Sequence, residues 1–258
     1  MSAPTTIRAA SPGQISRPRI KGVAKGFYAD LLGWEYEDSP VGEDSYYTMA
    51  RVDGRNVAAI APQPQAQRDG GAPARWNSYV TVRSADATLK RATQLGGSAH
   101  TSAFDVMQAG RMAVLRDPHG AHFMVWEPRE NIGAALVNSP GALCWNELTS
   151  PSFEASSSFY GDLFGWSFAP FEGSPEPYLT ISNAGKANGG IRPQSPPGIP
   201  PHWLVYFAVI GIEPVLGKVA ELGGSTLAGP IDLPMARIAV VKDAQGAAFG
   251  LYDGTLEP

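Results

Sequence analysis

The chain has 258 residues, with 29 Gly, 23 Pro, 17% charged and 43% hydrophobic positions. Gly and Pro together make about a fifth of it, below the roughly 25–30% that marks low-complexity disorder, so composition predicts one or two turn-rich globular domains and excludes a disordered chain. A formal net charge of −4 supplies no broad positive field, which argues against nucleic acid and anionic membranes as partners and leaves a small molecule. The longest apolar stretch, Trp203 to Ile212, is far short of the roughly 18 residues of a membrane span, and the opening MSAPTTIRAASPGQ lacks the apolar centre of a signal peptide. The expectation is a soluble, cytoplasmic protein, monomer or homodimer. One cysteine, Cys144, excludes an intramolecular disulfide and a Cys-rich metal site, and reads as a buried structural thiol.

In chain order, apolar Phe27, Tyr28, Leu31 and Leu32 predict a helix that stops at Gly33. Strands TMARV and NVAAIA follow, joined by an Asp53-Gly54 hairpin turn. After a Pro/Gly-rich loop from Pro62 to Pro73 come the strand WNSYVTV, a helix over Ala85–Leu95 stopped by Gly96-Gly97, and strands around RMAVLRD and HFMVWEP. The second half repeats this order, with its own loop from Pro193 to Pro201.

The repetition is written in the residues. FYADLLGW at 27–34 returns as FYGDLFGW at 159–166, an offset of 132 (159 − 27). QLGGS at 94–98 meets ELGGS at 221–225, and RDPHGAHF at 116–123 meets KDAQGAAF at 242–249. Trp34 pairs with Trp166, and Trp76 with Trp203. Asp105 and Arg111 recur as Asp232 and Arg237, which suggests a structural ion pair in each half. The expected organisation is a domain over 1–128, a linker over 129–140 and a domain over 141–258.

FYxDLxGW after a first strand, L-G-G after a second helix and DPxG opening the last hairpin resemble the glyoxalase / bleomycin-resistance / extradiol-dioxygenase (vicinal oxygen chelate) superfamily, over nearly the whole chain and twice. More narrowly the chain is similar to two-domain actinobacterial glyoxalase-like proteins often labelled hydroxylases. The resemblance implies an α+β fold of four βαβββ units forming two cup-shaped mixed sheets, with helices outside and a ligand cavity inside. It also implies a divalent metal held by a first-strand His or Glu, a His opening the second unit and a last-strand Glu. Here those positions carry Gly13, Asn77 and Met124 in the first half, and Trp145, Leu204 and Gly250 in the second. None is a good transition-metal ligand, so no metal and no cofactor is expected. No GxGxxG element supports a flavin or nicotinamide.

Because residues two apart on a strand share a face, the neighbours of the lost ligand positions should line the same cavities. In the second half this gathers Trp145, Glu147, His202, Leu204, Tyr206, Ala248, Gly250 and Tyr252, with the small Ala248 and Gly250 leaving space. In the first half it gathers Arg75, Asn77, Tyr79, His122, Met124 and Trp126. Trp76 and Trp203 then face the helices as core. Glu147 and His202 are the sharpest pair, suited to general acid–base work; Arg75 with His122 could orient a carboxylate or enolate oxygen. His100 and His119 fall in turns and should be exposed. The segment AASPGQIS is poor strand sequence, so the first cup should be more open, with Arg17, Arg19 and Lys21 at its rim. Two functions stay open: a metal-independent lyase, isomerase or cyclase acting by proton transfer on a planar aromatic or polyketide-like metabolite, and a non-catalytic binding or drug-sequestering protein. A metal enzyme with relocated ligands is a third.

Overall fold

Four strand–helix–three-strand modules follow one another along the chain. The computed structural model describes residues 7–10, 18–42, 45–65, 69–71, 73–99, 101–174, 176–194 and 198–256. Module one runs β1 (Ile7–Ala10), α1 (Pro18–Leu32), β2 (Glu35–Gly42), β3 (Ser45–Val52) and β4 (Arg55–Ile60). Module two runs β5 (Asn77–Thr81), α2 (Ala85–Gln94), a broken strand β6 (Ser98–Ala99) and β7 (Phe104–Val106), then β8 (Gly110–Arg116) and β9 (His122–Pro128). Module three runs β10 (Leu143–Ser150), α3 (Phe153–Phe164), β11 (Ser167–Pro170), β12 (Leu179–Asn183) and β13 (Lys186–Pro193). Module four runs β14 (His202–Ala208), α4 (Ile212–Glu221), β15 (Ser225–Leu233), β16 (Ala236–Lys242) and β17 (Ala248–Gly254). No described helix is long and apolar enough to cross a membrane.

Local sequence explains the joints. Ser84 and Ser152 cap α2 and α3, each side-chain oxygen accepting from the backbone N–H three residues on. Gly33 and Gly165 end α1 and α3 in the left-handed region, at φ 71° and 74°. Asp53 and Gly54 both have positive φ, the geometry of a two-residue hairpin turn. The first strand after each helix escaped the sequence reading, β2, the broken β6–β7, β11 and β15, because all are largely exposed and lack an apolar face. Of the segment expected to be irregular, β1 is a strand of four residues and Arg19 and Lys21 stand in α1; Gly13, Arg17 and His100 lie outside the described residues.

Contacts group the modules into two compact units. One unit takes residues 7–8 with Asn77–Ile132 and Trp145–Leu204, most of modules two and three and the start of β14; the other takes Ala9–Trp76, Gly133–Cys144 and Val205–Pro258, most of modules one and four. Each unit holds a clamp built from residues of both sequence halves. In the first unit the Tyr160 hydroxyl donates to Asp117 at 3.1 Å and accepts from the Trp203 indole at 2.9 Å. In the second, Tyr28 donates to Asp243 at 2.8 Å and accepts from Trp76 at 2.9 Å. Each aspartate also accepts two backbone N–H groups of its own turn, His119 and Ala121 in one case, Gln245 and Ala247 in the other.

Around each clamp lies an apolar core. Phe123, Leu115, Leu148, Phe159 and Ile191 fill the first unit, while Phe27, Trp34, Phe207 and Phe249 fill the second. The second glycine of each L-G-G motif lets a phenylalanine come close: a Cβ at Gly97 would press on Phe159 at 3.1 Å, and one at Gly224 on Phe27 at 3.1 Å. Trp76 and Trp203 are core, as their strand positions predict. The two ion pairs also form, Arg111 with Asp105 at 3.0 Å and Arg237 with Asp232 at 2.6 Å. His119 is half-buried rather than exposed, because its turn folds back on Asp117.

Two outcomes follow. Tyr28→Phe and Tyr160→Phe should each lower unfolding free energy by about 2 kcal/mol, since each strands a buried carboxylate oxygen and an indole N–H, readable in denaturant titrations. Burial pushes the phenols of Tyr28, Tyr160 and Tyr178 well above the usual 10.0 and that of Tyr47 up to about 12. Folded phenols thus ionise later than unfolded ones, so this contribution is intact below pH 10 and is lost as pH rises through the raised values. Melting temperature should fall steeply between pH 10 and 12.

Candidate functional site

Strand β10 sets the candidate site in the first unit. Leu148 packs into the core, so Trp145 and Glu147 point to the opposite face. β10 runs parallel to β13 with Glu147 opposite Gly190 and Thr149 opposite Arg192. A side chain from the loop just before β12 crosses this pair: the Tyr178 hydroxyl donates to Glu147 Oε2 at 3.1 Å and accepts from Trp145 Nε1 at 2.8 Å. Arg192 reaches Glu147 at 4.0 Å and Glu176 at 3.7 Å. Glu147 is 6% exposed. Burial first, and then the charge of Glu147, raise the Tyr178 phenol well above its ordinary range. At neutral pH Tyr178 is therefore a proton donor that fixes the carboxylate. An open depression of about 410 Å³ touches Tyr178 and Glu176 and is lined also by Phe153, Phe171, Glu172 and Leu179; Glu147 and Trp145 do not line it.

Neither Tyr178 nor Arg192 was singled out from sequence. Tyr178 and Thr180 stand at the same offset of 132 from Tyr46 and Thr48 as the FY motifs do, and that signal was there to use. Arg192 has no such marker.

The remaining predicted residues divide between the units. His202 and Leu204 belong to the first, on the β14 face opposite Trp203. His202 Nδ1 lies 2.8 Å from the Pro200 carbonyl, and as donor there it leaves Nε2 as the basic nitrogen. Leu204 is buried. Tyr206, Gly250 and Tyr252 belong to the second unit. There Tyr206 faces Gly250 across the β14–β17 ladder and its ring lies where a Cβ at Gly250 would be. The space expected at Gly250 is thus filled by Tyr206, itself only 2% exposed. Tyr252 donates to the Thr255 carbonyl at 3.0 Å. Cys144 is half-buried, its thiol 3.5 Å from the Tyr206 carbonyl and pushed up by burial.

In the other face of the first unit, Asn77 and Met124 are buried and Tyr79 stands opposite Met124. Arg116 Nε donates to His122 Nε2 at 2.9 Å. Trp126 donates to the Asn131 carbonyl at 2.8 Å and its ring lies over Gly110.

A divalent metal of the superfamily type does not fit these residues. Trp145 spends its N–H on Tyr178, Leu204 is apolar, Gly250 is covered by a ring, and Met124 offers only a thioether to a hard cation. Among the described residues no three His, Cys, Asp or Glu side chains converge as metal ligands.

The repeated modules and their motifs place the chain in the glyoxalase-like family of the glyoxalase/extradiol-dioxygenase superfamily, to which it belongs. The profile described as Glyoxalase-like domain matches residues 22–126. A Mycobacterium tuberculosis protein named "Putative glyoxylase CFP32" is 39% identical over 234 residues, 90% of this chain and 89% of that protein. The anthracycline biosynthesis protein DnrV of Streptomyces peucetius is 34% identical over 242 residues, 88% of this chain and 86% of that protein. In fold the chain resembles the Mn(II)-bound glyoxalase of Novosphingobium aromaticivorans, with TM-score 0.65 at 17% identity, over 100% of this chain and 84% of the other.

Replacing Gly190 tests how tightly the site is built, because a Cβ there would overlap the Tyr178 ring. Gly190→Ala should cost about 1–3 kcal/mol and shift the Trp145 fluorescence maximum as its indole loses Tyr178.

Proposed function

We propose that the protein binds a planar, aromatic or polyketide-like small molecule and moves a proton on it without a metal, as a lyase, isomerase or cyclase would. Glu147 is the acid–base group, Tyr178 and Arg192 position it, and Trp145 offers a stacking surface. His202, through Nε2, is the second proton carrier. The observation that carries this reading is a carboxylate only 6% exposed on a sheet face, held by a phenol and faced by an indole. A carboxylate so desolvated and oriented is suited to take a proton from an acidic C–H group and to return it to another atom of the same conjugated system. That sequence conserves atoms and charge and needs no oxidant. DnrV, named for anthracycline biosynthesis, supports a fused-ring ligand, since anthracyclines are flat polycyclic molecules.

The second reading is binding without chemistry, as in drug sequestration. It is favoured by the fact that Tyr178 and Arg192 already engage Glu147.

Anthrone, a flat ketone with an acidic CH₂ group, separates the two. Wild-type protein in D₂O should accelerate deuterium entry at that carbon, followed by NMR. Glu147→Gln should slow it by about 10²-fold, and His202→Ala should slow it less. If both variants exchange at the wild-type rate, the assignment fails. Tight binding of anthrone with no acceleration would establish the binding reading instead.

A further inference from the structure

The face of β5, β9 and β8 in the first unit keeps an unusual set of polar groups. Val80, Phe123, Val125, Ala113 and Leu115 pack into the core. Asn77, Tyr79 and Thr81 on β5, His122, Met124 and Trp126 on β9, and Arg116 on β8 therefore share the opposite face. Tyr79 pairs with Met124 and Thr81 with Trp126 in parallel register, and Arg116 pairs with His122 across the β8–β9 ladder. Asn77 and His122 stand two residues upstream on adjacent strands, so Asn77, His122 and Arg116 gather at one end.

Asn77 is 5% exposed, yet among the described residues its Nδ2 has no hydrogen-bond partner. Buried polar groups are rarely left so, and one kept at a cost to folding calls for a functional reason. Thr81 Oγ1, further along the same face, also has no partner among the described residues, with Tyr79 between them. The end of the face that holds Asn77 is rich in donors. Arg116 Nε donates to His122 Nε2, which uses the acceptor nitrogen and leaves the imidazole proton on Nδ1. An amide N–H beside a guanidinium and an imidazole N–H complements an anionic oxygen. Rotation about χ2 of asparagine is broad and shallow, so the amide can turn to meet one.

We propose that Asn77, with the Arg116–His122 pair, forms an oxyanion site that takes the carboxylate or enolate oxygen of a planar ligand lying along Tyr79 and Trp126. Hydrogen bonds and the guanidinium charge there perform the charge stabilisation for which the superfamily's pattern uses a metal. Binding at this face does not depend on proton transfer at Glu147.

The test uses 2-naphthoate and its neutral analogue 2-naphthamide, titrated into ¹⁵N-labelled protein in chelator-containing buffer. Naphthoate should bind about ten-fold more tightly than naphthamide and should displace the Asn77 side-chain amide signals, which Asn77→Leu identifies by their loss. Asn77→Leu and Arg116→Met should each weaken naphthoate about ten-fold and leave naphthamide within about two-fold. Asn77→Leu should melt no lower than wild type, because it removes an unpaired buried donor. Naphthoate has no acidic CH₂ group to exchange, so its binding is read apart from anthrone exchange, which keeps this site distinct from the proton-transfer reading. Equal affinity for the two probes overturns the proposal, as do Asn77 amide signals unmoved at millimolar naphthoate. It also fails if binding requires added Mn²⁺, or if Asn77→Leu melts lower while binding naphthoate normally.

Discussion

A buried phenol that donates to an aspartate and accepts from a tryptophan organises each compact unit. The tyrosine comes from a helix, the aspartate from the turn before a module's last strand, and the tryptophan from the strand opening another module. In the second unit the partners Tyr28 and Asp243 are 215 positions apart. Burial raises the Asp117 carboxyl above its ordinary range, and the hydrogen bonds from Ala121, Tyr160 and His119 only partly offset this. A carboxylate placed like that is tolerable only while its donors stay in place, so helix, turn and strand are tied into one cooperative arrangement. The stacking of Tyr28 on Trp34 and of Tyr160 on Trp166 extends the same tie to the helix ends.

With that framework fixed by the motifs, the residues on the free sheet faces can vary. Three rings use glycine as a seat: Trp126 on Gly110, Tyr178 on Gly190 and Tyr206 on Gly250. Each glycine lets an aromatic ring lie flat against the sheet. Where the superfamily pattern calls for a metal-binding carboxylate, Gly250 therefore supplies packing, not an opening. A small residue read from sequence as room was in fact the condition for a large neighbour.

Much of the fold was legible in the sequence because repetition and turn chemistry reinforce each other. The FY motif, the L-G-G stop and the DPxG turn each have a physical task that the structure displays. What sequence could not show was which half completes which clamp. Tyr28 alone cannot say whether its aspartate is Asp117 or Asp243, since both stand in matching turns. The candidate site was half legible. Strand alternation placed Glu147 and Trp145 on one face, but Tyr178 arrives from the loop just before another strand of the module. For the same reason the contact of Arg116 with His122 went unread: register between strands decides it, and register is not written in either strand alone.

The repeat also separates fold from function by subtraction. Residues that recur in both halves, such as Tyr28 with Tyr160, Asp117 with Asp243 and Gly97 with Gly224, all serve packing. Positions where the halves part carry the unusual chemistry: Asn77 against Leu204, His122 against Ala248, Met124 against Gly250. A duplicated fold needs its clamps twice, and the same clamps must leave the concave positions free to diverge. The unsatisfied amide of Asn77 is the clearest sign of that divergence, because leucine at the matching position of β14 is buried with no such cost. Stability alone would favour the apolar residue at both positions, so the polar one points to a demand made by something other than the fold.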